Sequence, residues 1–220
     1  MIKAVLFDLD GTLLDTSEGI IDSVRYTISQ MGYHELPSDV ILKFVGPPIQ
    51  NSLMNYLNVT PEVAQQGANI FRDYYKTNAL FKASVYPGIM TLLSDLKLMG
   101  VKIGVATYKR EDYAIDLLEY FGIAEYCDVI HGADNDNKYT KADIIEHCLK
   151  ELGEDKHNVL LIGDTDHDAK GAVEAGVHFS AVTWGFGYTK DTGKISYPCL
   201  AIIDKVDSLL QIIKSPFYSK

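Results

Sequence analysis

At 220 residues, 47% apolar and 23% charged, the chain can bury a full core and is a poor fit to disorder, collagen-like repeats or coiled coil. Thirty acidic against twenty basic residues give a formal net charge of −10, which argues against a nucleic-acid-binding surface, since phosphate backbones are held by excess Lys and Arg. No apolar run approaches the roughly 20 residues that span a bilayer, and Met1-Ile2-Lys3 leads straight into a strand-like segment, so no signal peptide and no membrane partner are expected.

The first predicted element is the short apolar run Ala4-Val5-Leu6-Phe7, which stops at Asp8. Continuous rather than alternating apolar residues suit a strand buried on both faces of a parallel sheet. Residues 16–82 then show helical periodicity: Ile20, Ile21, Val24 and Ile28, then Val40, Ile41 and Phe44, Leu53, Tyr56 and Leu57, and Val63, Ile70, Phe71 and Tyr74. Pro37, Pro47-Pro48 and Pro61 divide this stretch, and Thr60-Pro61 reads as an N-cap followed by proline at the first helical position.

A helix is predicted over 89–99, between Pro87-Gly88 and Gly100, and a strand over 101–106 stops before Thr107. Helical spacing returns at Tyr113, Leu117, Leu118 and Phe121, followed by a short strand at Val129-Ile130. Ile144, Ile145, Cys148, Leu149 and Leu152 predict another helix, and the run 159–162 is a strand that ends before Gly163-Asp164. A short helix around Ala169, Ala172 and Val173 and a weaker strand over 179–183 complete the alternation; Phe217 and Tyr218 lie near the end of the chain. Strands alternating with helices predict an open α/β sheet. Residues 1–15 and 84–220 would form that core, with 16–83 as a helical insertion after the first strand. Cys127, Cys148 and Cys199 are odd in number and widely spaced, the mark of neither a disulfide framework nor a zinc site, and a cytoplasmic location is expected.

Four polar positions fall just past predicted strand ends, which share one edge of a parallel sheet and so converge in space. In Asp8-Leu9-Asp10-Gly11-Thr12, one carboxylate can attack phosphorus while the other protonates the leaving oxygen and later activates water. A hydroxyl at Thr107 can donate to a phosphoryl oxygen. A lysine before the helix at Ile144, either Lys138 or Lys141, can neutralise a transferring group. In Gly163-Asp164-Thr165-Asp166-His167-Asp168, acids after an apolar strand suit oxygen ligation of Mg²⁺, while the spacing lacks the glycine and glutamate of a calcium loop.

In that order the four motifs resemble the haloacid dehalogenase-like hydrolase superfamily. The resemblance implies a Rossmann-like parallel sheet core with an inserted α-helical cap domain. It also implies a magnesium-dependent phosphatase acting on a small phosphorylated metabolite. By it, Asp8 is nucleophile and metal ligand, Asp10 is general acid/base and reaches the metal through its carbonyl, and Asp164 is the remaining ligand. Thr107 and Lys141 bind the phosphoryl group; Lys141 is preferred because Lys141-Ala142-Asp143-Ile144-Ile145 looks like the family's lysine opening a helix. Asp168 orients the lysine or a bound water.

Closer still, Asp15-Thr16-Ser17-Glu18-Gly19-Ile20, Phe44-Val45-Gly46-Pro47-Pro48 and Trp184-Gly185-Phe186-Gly187 are similar to the phosphoglycolate phosphatase-like branch. Gly46 and Pro47 would then help read the substrate, together with Thr107, Tyr108 and Lys109, and Arg110 and Arg72 are further candidates for an anionic leaving group. Asp10 counts against a dehalogenase, which lacks the second acid. The alternatives are a phosphomutase or phosphotransferase of the β-phosphoglucomutase type and a non-catalytic phosphate-binding member. A monomer or weak homodimer is expected.

Overall fold

The computed structural model describes residues 2–135, 138–193 and 195–214; Phe217 and Tyr218 lie outside them. The chain divides into two compact units, Met1–Leu14 with Val85–Lys220, and Asp15–Ser84. It crosses between them at 14/15 and 84/85, inside two short strands that pair with each other, β2 (Leu14–Asp15) and β3 (Ser84–Val85).

The larger unit is an α/β fold built on a parallel sheet. Its strands are β1 (Ala4–Phe7), β4 (Lys102–Arg110), β5 (Val129–Ala133), β6 (Val159–Gly163), β7 (His178–Val182) and β8 (Ile202–Ile203), in the spatial order β5-β4-β1-β6-β7-β8. β1 lies at the centre, with Phe7 level with Val105 of β4 on one side and Ile162 of β6 on the other. Every residue of β1 and β6 is buried, which explains their unbroken apolar sequences: both faces are covered. Helices α5 (Ile89–Leu98), α6 (Glu111–Tyr120), α7 (Lys141–Leu152), α8 (Asp166–Ala175) and α9 (Leu209–Lys214) flank the sheet. Ala4 and Leu6 belong to one apolar cluster with Ile144, Ile145 and Cys148 of α7 and Ala169 and Ala172 of α8.

The short strands β2 and β3 have no counterpart in the sequence expectation, β5 runs on past Ile130, and β4 and β8 differ from it as well. β4 does not stop at Ala106 but runs on to Arg110, because it keeps pairing with β5 through a register shift between Ala106 and Arg110. Thr107 therefore lies inside a strand rather than just beyond one. β8 is only two residues long, too short to leave a periodic signal.

The smaller unit is helical, with α1 (Ser17–Gln30), α2 (Ser38–Ile41), α3 (Ile49–Leu57) and α4 (Pro61–Tyr74), the last continuing as one π-helical turn over Tyr75–Ala79. Ile20, Val24, Ile28, Ile41, Phe44 and Leu53, among the residues whose helical spacing marks the segment, are buried in it, while Tyr56 of the same pattern is exposed. Among the described residues, no helix is long and apolar enough to cross a membrane.

Helix α7 starts with unusual definition. Thr140 Oγ1 accepts from the Asp143 backbone N–H at 3.2 Å, and the Asp143 carboxylate accepts from the Thr140 N–H at 2.8 Å, a reciprocal capping box. The first helical N–H, that of Lys141, donates to the Tyr108 hydroxyl of β4 at 2.9 Å. Replacing Thr140 by Ala removes one acceptor from a helix start and is expected to lower stability by about 1 kcal/mol, read from urea unfolding.

Candidate active site

β1 and β6 are neighbours in space although four strands separate them in count, because the chain winds first to one side of β1 and then to the other. An open sheet with that order leaves a crevice at the carboxyl ends of the two strands where the winding reverses. Asp8 lies at the end of β1, its N–H donating to the Ile162 carbonyl at 2.9 Å, and Asp164 lies at the end of β6. After Asp8 the chain turns sharply: the N–H groups of Leu13 and Leu14 both donate to the Leu9 carbonyl at 3.0 Å. Gly11 adopts φ +82°, and a Cβ there would stand 2.3 Å from Asp164 Oδ2, so only glycine fits both the backbone and the space.

Asp8, Asp164 and Asp168 bring one oxygen each to within 4.8 Å of one another, all three buried. Lys141, at the start of α7, reaches into this cluster: its Nζ donates to Asp8 Oδ1 at 2.7 Å and pairs with Asp168 Oδ1 at 2.6 Å. Asp168 also accepts at Oδ2 from the Thr165 N–H at 3.0 Å and from its hydroxyl at 2.7 Å. Burial pushes the Asp8 carboxyl up to about 7; the Lys141 charge opposes this, and the Asp168 and Asp10 charges add to it. Burial disfavours the Lys141 ammonium, but the Asp168 and Asp8 carboxylates outweigh it and hold its pKa above the ordinary lysine value.

Asp164 is fully buried and is fixed from one side only. Its Oδ2 accepts from the Phe186 N–H at 2.7 Å and more weakly from the Gly187 N–H at 3.3 Å, while Oδ1 is buried with no hydrogen-bond partner. Burial, and then the charges of Asp168 and Asp8, raise its pKa well above the usual carboxylate range despite those two N–H donors. The 184–188 loop makes further contacts around the same point. Trp184 Nε1 donates to the Thr12 carbonyl at 3.2 Å, the Tyr188 N–H donates to the Asp164 carbonyl at 2.8 Å, and the Tyr188 hydroxyl donates to Asp166 at 2.7 Å. A Cβ at Gly185 would fall 2.3 Å from Asp164 Oδ2, which is why the loop can press so closely on the carboxylate.

A buried carboxylate oxygen without a partner is costly unless something positive occupies the space before it. Asp168 is already engaged at both oxygens, so Asp8 and Asp164 are the carboxylates left to face a cation. Two carboxylates in an oxygen-only environment fit a small hard dication, which takes one or two carboxylates and fills its remaining positions with water or phosphate oxygens.

The remaining sequence candidates divide by unit. Thr107 is buried on β4, and its hydroxyl accepts from the Lys109 N–H at 3.1 Å. Tyr108 supports Lys141 twice, through the hydrogen bond to the Lys141 N–H and with its ring 5.7 Å below the ammonium. Lys109 pairs with Asp10, the Nζ–Oδ1 distance being 3.0 Å. His167 packs edge-on against the Tyr108 ring, and burial lowers its pKa. Lys138 does not stand in the place of Lys141: its N–H donates to Asp134, and the ammonium beside Asp8 is that of Lys141. Gly46 and Pro47 lie in the other unit, in the loop between Phe44 and α3, where Gly46 takes φ +102°. Sequence reasoning missed the clasp of the Phe186 N–H on Asp164 and the Lys109–Asp10 pair. The first had a signal in the Gly-Phe-Gly run after a strand; the second joins residues 99 positions apart and had none.

The raised Asp8 pKa carries a stability consequence. Between the ordinary carboxyl value of 3.8 and about 7, the folded chain holds a proton on Asp8 that the unfolded chain has released. The resulting stabilisation is present below the lower value and lost as pH rises through the upper one. In the absence of divalent cations, Asp8→Asn is therefore expected to gain stability relative to the native chain as pH is raised from about 5 to about 8, read as the difference in urea unfolding free energies.

The haloacid dehalogenase-like hydrolase family model matches residues 5–182. Among curated proteins, the tyrosine-protein kinase PtkA of Mycobacterium tuberculosis is 32% identical over 212 residues, covering 96% of this chain and 72% of that one. A 5′-nucleotidase of Pseudomonas aeruginosa is 33% identical over 184 residues, 83% of each chain. A phosphoglycolate phosphatase of Aquifex aeolicus is 29% identical over 187 residues, 84% of this chain and 86% of that one. Among solved structures, a predicted phosphatase from Clostridium acetobutylicum superposes with a TM-score of 0.90 at 36% identity, covering 97% of this chain and 99% of the other. The chain belongs to the haloacid dehalogenase-like hydrolases, in the branch that holds the phosphoglycolate phosphatases.

Proposed function

We propose that the protein is a magnesium-dependent phosphatase that hydrolyses small phosphate monoesters through an aspartyl-phosphate on Asp8. The observation that carries this reading is the buried group of Asp8, Lys141, Asp164 and Asp168 at the sheet's reversal point, with Asp164 Oδ1 left unpartnered. Relatives named as a 5′-nucleotidase and a phosphoglycolate phosphatase support the same reaction class.

Mg²⁺, held by Asp8, Asp164 and the Asp10 carbonyl, would supply a Lewis acid that offsets negative charge on the phosphoryl oxygens and keeps both carboxylates ionised. In the first step Asp8 forms a bond to phosphorus as the bond to the leaving oxygen breaks, and Asp10 gives that oxygen a proton. Lys141 lies against Asp8 and is placed to draw charge from the phosphoryl oxygens; Thr107 can donate its hydroxyl to one of them. In the second step Asp10 takes a proton from water as the water oxygen attacks phosphorus, and phosphate departs from Asp8. Burial raises the Asp8 pKa while the Lys141 charge and hydrogen bond lower it, so Lys141 has a second use: it favours the ionised nucleophile.

A second reading has one observation in its favour, the 32% identity to a tyrosine-protein kinase. The same aspartyl-phosphate can be discharged onto a hydroxyl acceptor instead of water, and the two outcomes differ only in what accepts the phosphoryl group.

Phosphate release from a panel including 2-phosphoglycolate and nucleoside 5′-monophosphates is expected to need Mg²⁺ and to cease with EDTA. Asp8→Asn is expected to lower kcat roughly 10⁴-fold or more, since it removes the nucleophile itself. Turnover that survives in that variant would overturn the covalent route. Labelled phosphate recovered on protein tyrosine rather than in solution would favour the kinase-like reading.

A further inference from the structure

His131, on β5, has a carboxylate at each ring nitrogen. Its Nδ1 lies 3.3 Å from Glu111 Oε2, and its Nε2 lies 2.8 Å from Glu151 Oε2. Glu111 opens α6, and the same Oε2 accepts from the Gly132 N–H at 3.1 Å, which holds the carboxylate against the His131 ring. A Cβ at Gly132 would fall 2.6 Å from the Glu111 Cα, so glycine is what lets β5 and the start of α6 approach so closely. Glu151 lies on α7, and one turn before it on the same helix surface is His147. The His131 and His147 rings meet at 67°, their centres 5.8 Å apart.

These side chains differ in chemistry from the acids of the crevice. Two imidazoles and a carboxylate suit zinc and its transition-metal neighbours, whereas magnesium prefers oxygen alone. Two imidazoles on one zinc ion, each held by a nitrogen about 2.1 Å away at tetrahedral angles, have their ring centres about 5 to 5.5 Å apart. The separation here is slightly longer. His147 is exposed and rests edge-on against Tyr139, with 5.1 Å between ring centres, so a small turn of its side chain closes the gap. A ligating histidine characteristically gives its other ring N–H to a carboxylate, the place that Glu111 already fills. His131 Nε2 and the Glu151 carboxylate call for a positive charge between them, and a proton and a metal ion are alternatives for that place.

We propose that His131, His147 and Glu151 bind a transition-metal dication of the zinc type, with Glu111 orienting His131 from the far side of its ring. On binding, the ion displaces the proton between His131 Nε2 and Glu151 into solvent, and the two ring nitrogens and a Glu151 oxygen gather around the metal. Three protein ligands leave a fourth position for water. The site shares no residue with the crevice acids and stands independently of the reaction proposed there. An ion in it fastens β5 to α7 roughly two to three helical turns along from Lys141.

Co²⁺ is the probe, because a four-coordinate Co²⁺ ion absorbs visible light far more strongly than a six-coordinate one. The EDTA-treated and dialysed full chain is titrated with Co²⁺ in excess Mg²⁺, which occupies oxygen-only positions. An intense band that saturates at about one equivalent, and that Zn²⁺ then abolishes, is the expected result. His147→Ala puts a good helix former at an exposed helical position, so the variant is expected to fold and to bind Co²⁺ roughly 100-fold more weakly or worse. Glu111→Gln is expected to weaken binding about 10-fold, the scale of losing a carboxylate that orients a ligating histidine. His131→Gln is the second ligand variant, and circular dichroism checks that all three are folded. Only the weak spectrum of a six-coordinate ion in the native protein would overturn the site, as would a band of native strength in His147→Ala or His131→Gln. Native affinity in Glu111→Gln would overturn the part given to Glu111.

Discussion

Four ionisable side chains are buried together at one edge of the sheet, and they can coexist there because Lys141 stands between two of them. Its ammonium lies 2.7 Å from Asp8 and 2.6 Å from Asp168, so one buried cation serves two buried carboxylates. Removing Lys141 would leave two buried carboxylates without their shared cation, a costly change in a folded interior. The capping box at Thr140 and Asp143, the Tyr108 hydroxyl on the first helical N–H and the ring beneath the ammonium all fix where this lysine starts its reach. Much of α7's local structure serves to aim one side chain.

The sheet order supplies the other half of the arrangement. With β1 central and the winding reversing between β1 and β6, the ends of those two strands face a common crevice. Asp8 and Asp164 meet there from positions far apart in the chain. Their charges repel, burial raises both pKa values, and the 184–188 loop fixes Asp164 by only one oxygen. A scaffold this rigid holds the acids in an arrangement they would not choose unaided. A dication between them would relieve that repulsion, and pre-organisation and metal affinity would then have the same origin.

Much of this was legible in the sequence, and for a specific reason. Apolar runs such as Ala4-Val5-Leu6-Phe7 and Val159-Leu160-Leu161-Ile162 read as buried parallel strands, and parallel strands put all their ends on one edge. Asp8 and Asp164 could therefore be grouped without coordinates. Thr107 was harder: its place depends on a register shift in β4 that pairing with β5 decides, and no local pattern encodes that. The choice between Lys138 and Lys141 rested on resemblance at the sequence level and is geometric in the fold, where α7 begins at Lys141. The Lys109–Asp10 contact was invisible, since a lysine just past a predicted strand is more often solvated and nothing near it in sequence names its partner. The clasp of Phe186 on Asp164 uses backbone N–H groups, so its one trace in the sequence is the Gly-Phe-Gly run that lets the loop approach.

The helical segment Asp15–Ser84 leaves the sheet-bearing unit through β2 and returns through β3, and these two strands are paired. Its entrance and exit are thus side by side, and β1 and β4, the sheet strands nearest to it in sequence, are joined by their own ladder whatever lies between. Since the entropy of closing a loop grows only slowly with its length, such a segment can lengthen, shrink or be replaced by recombination without changing the register of the sheet. Inheritance can therefore treat the two parts separately, keeping the acid-bearing crevice while the inserted sequence is traded among descendants.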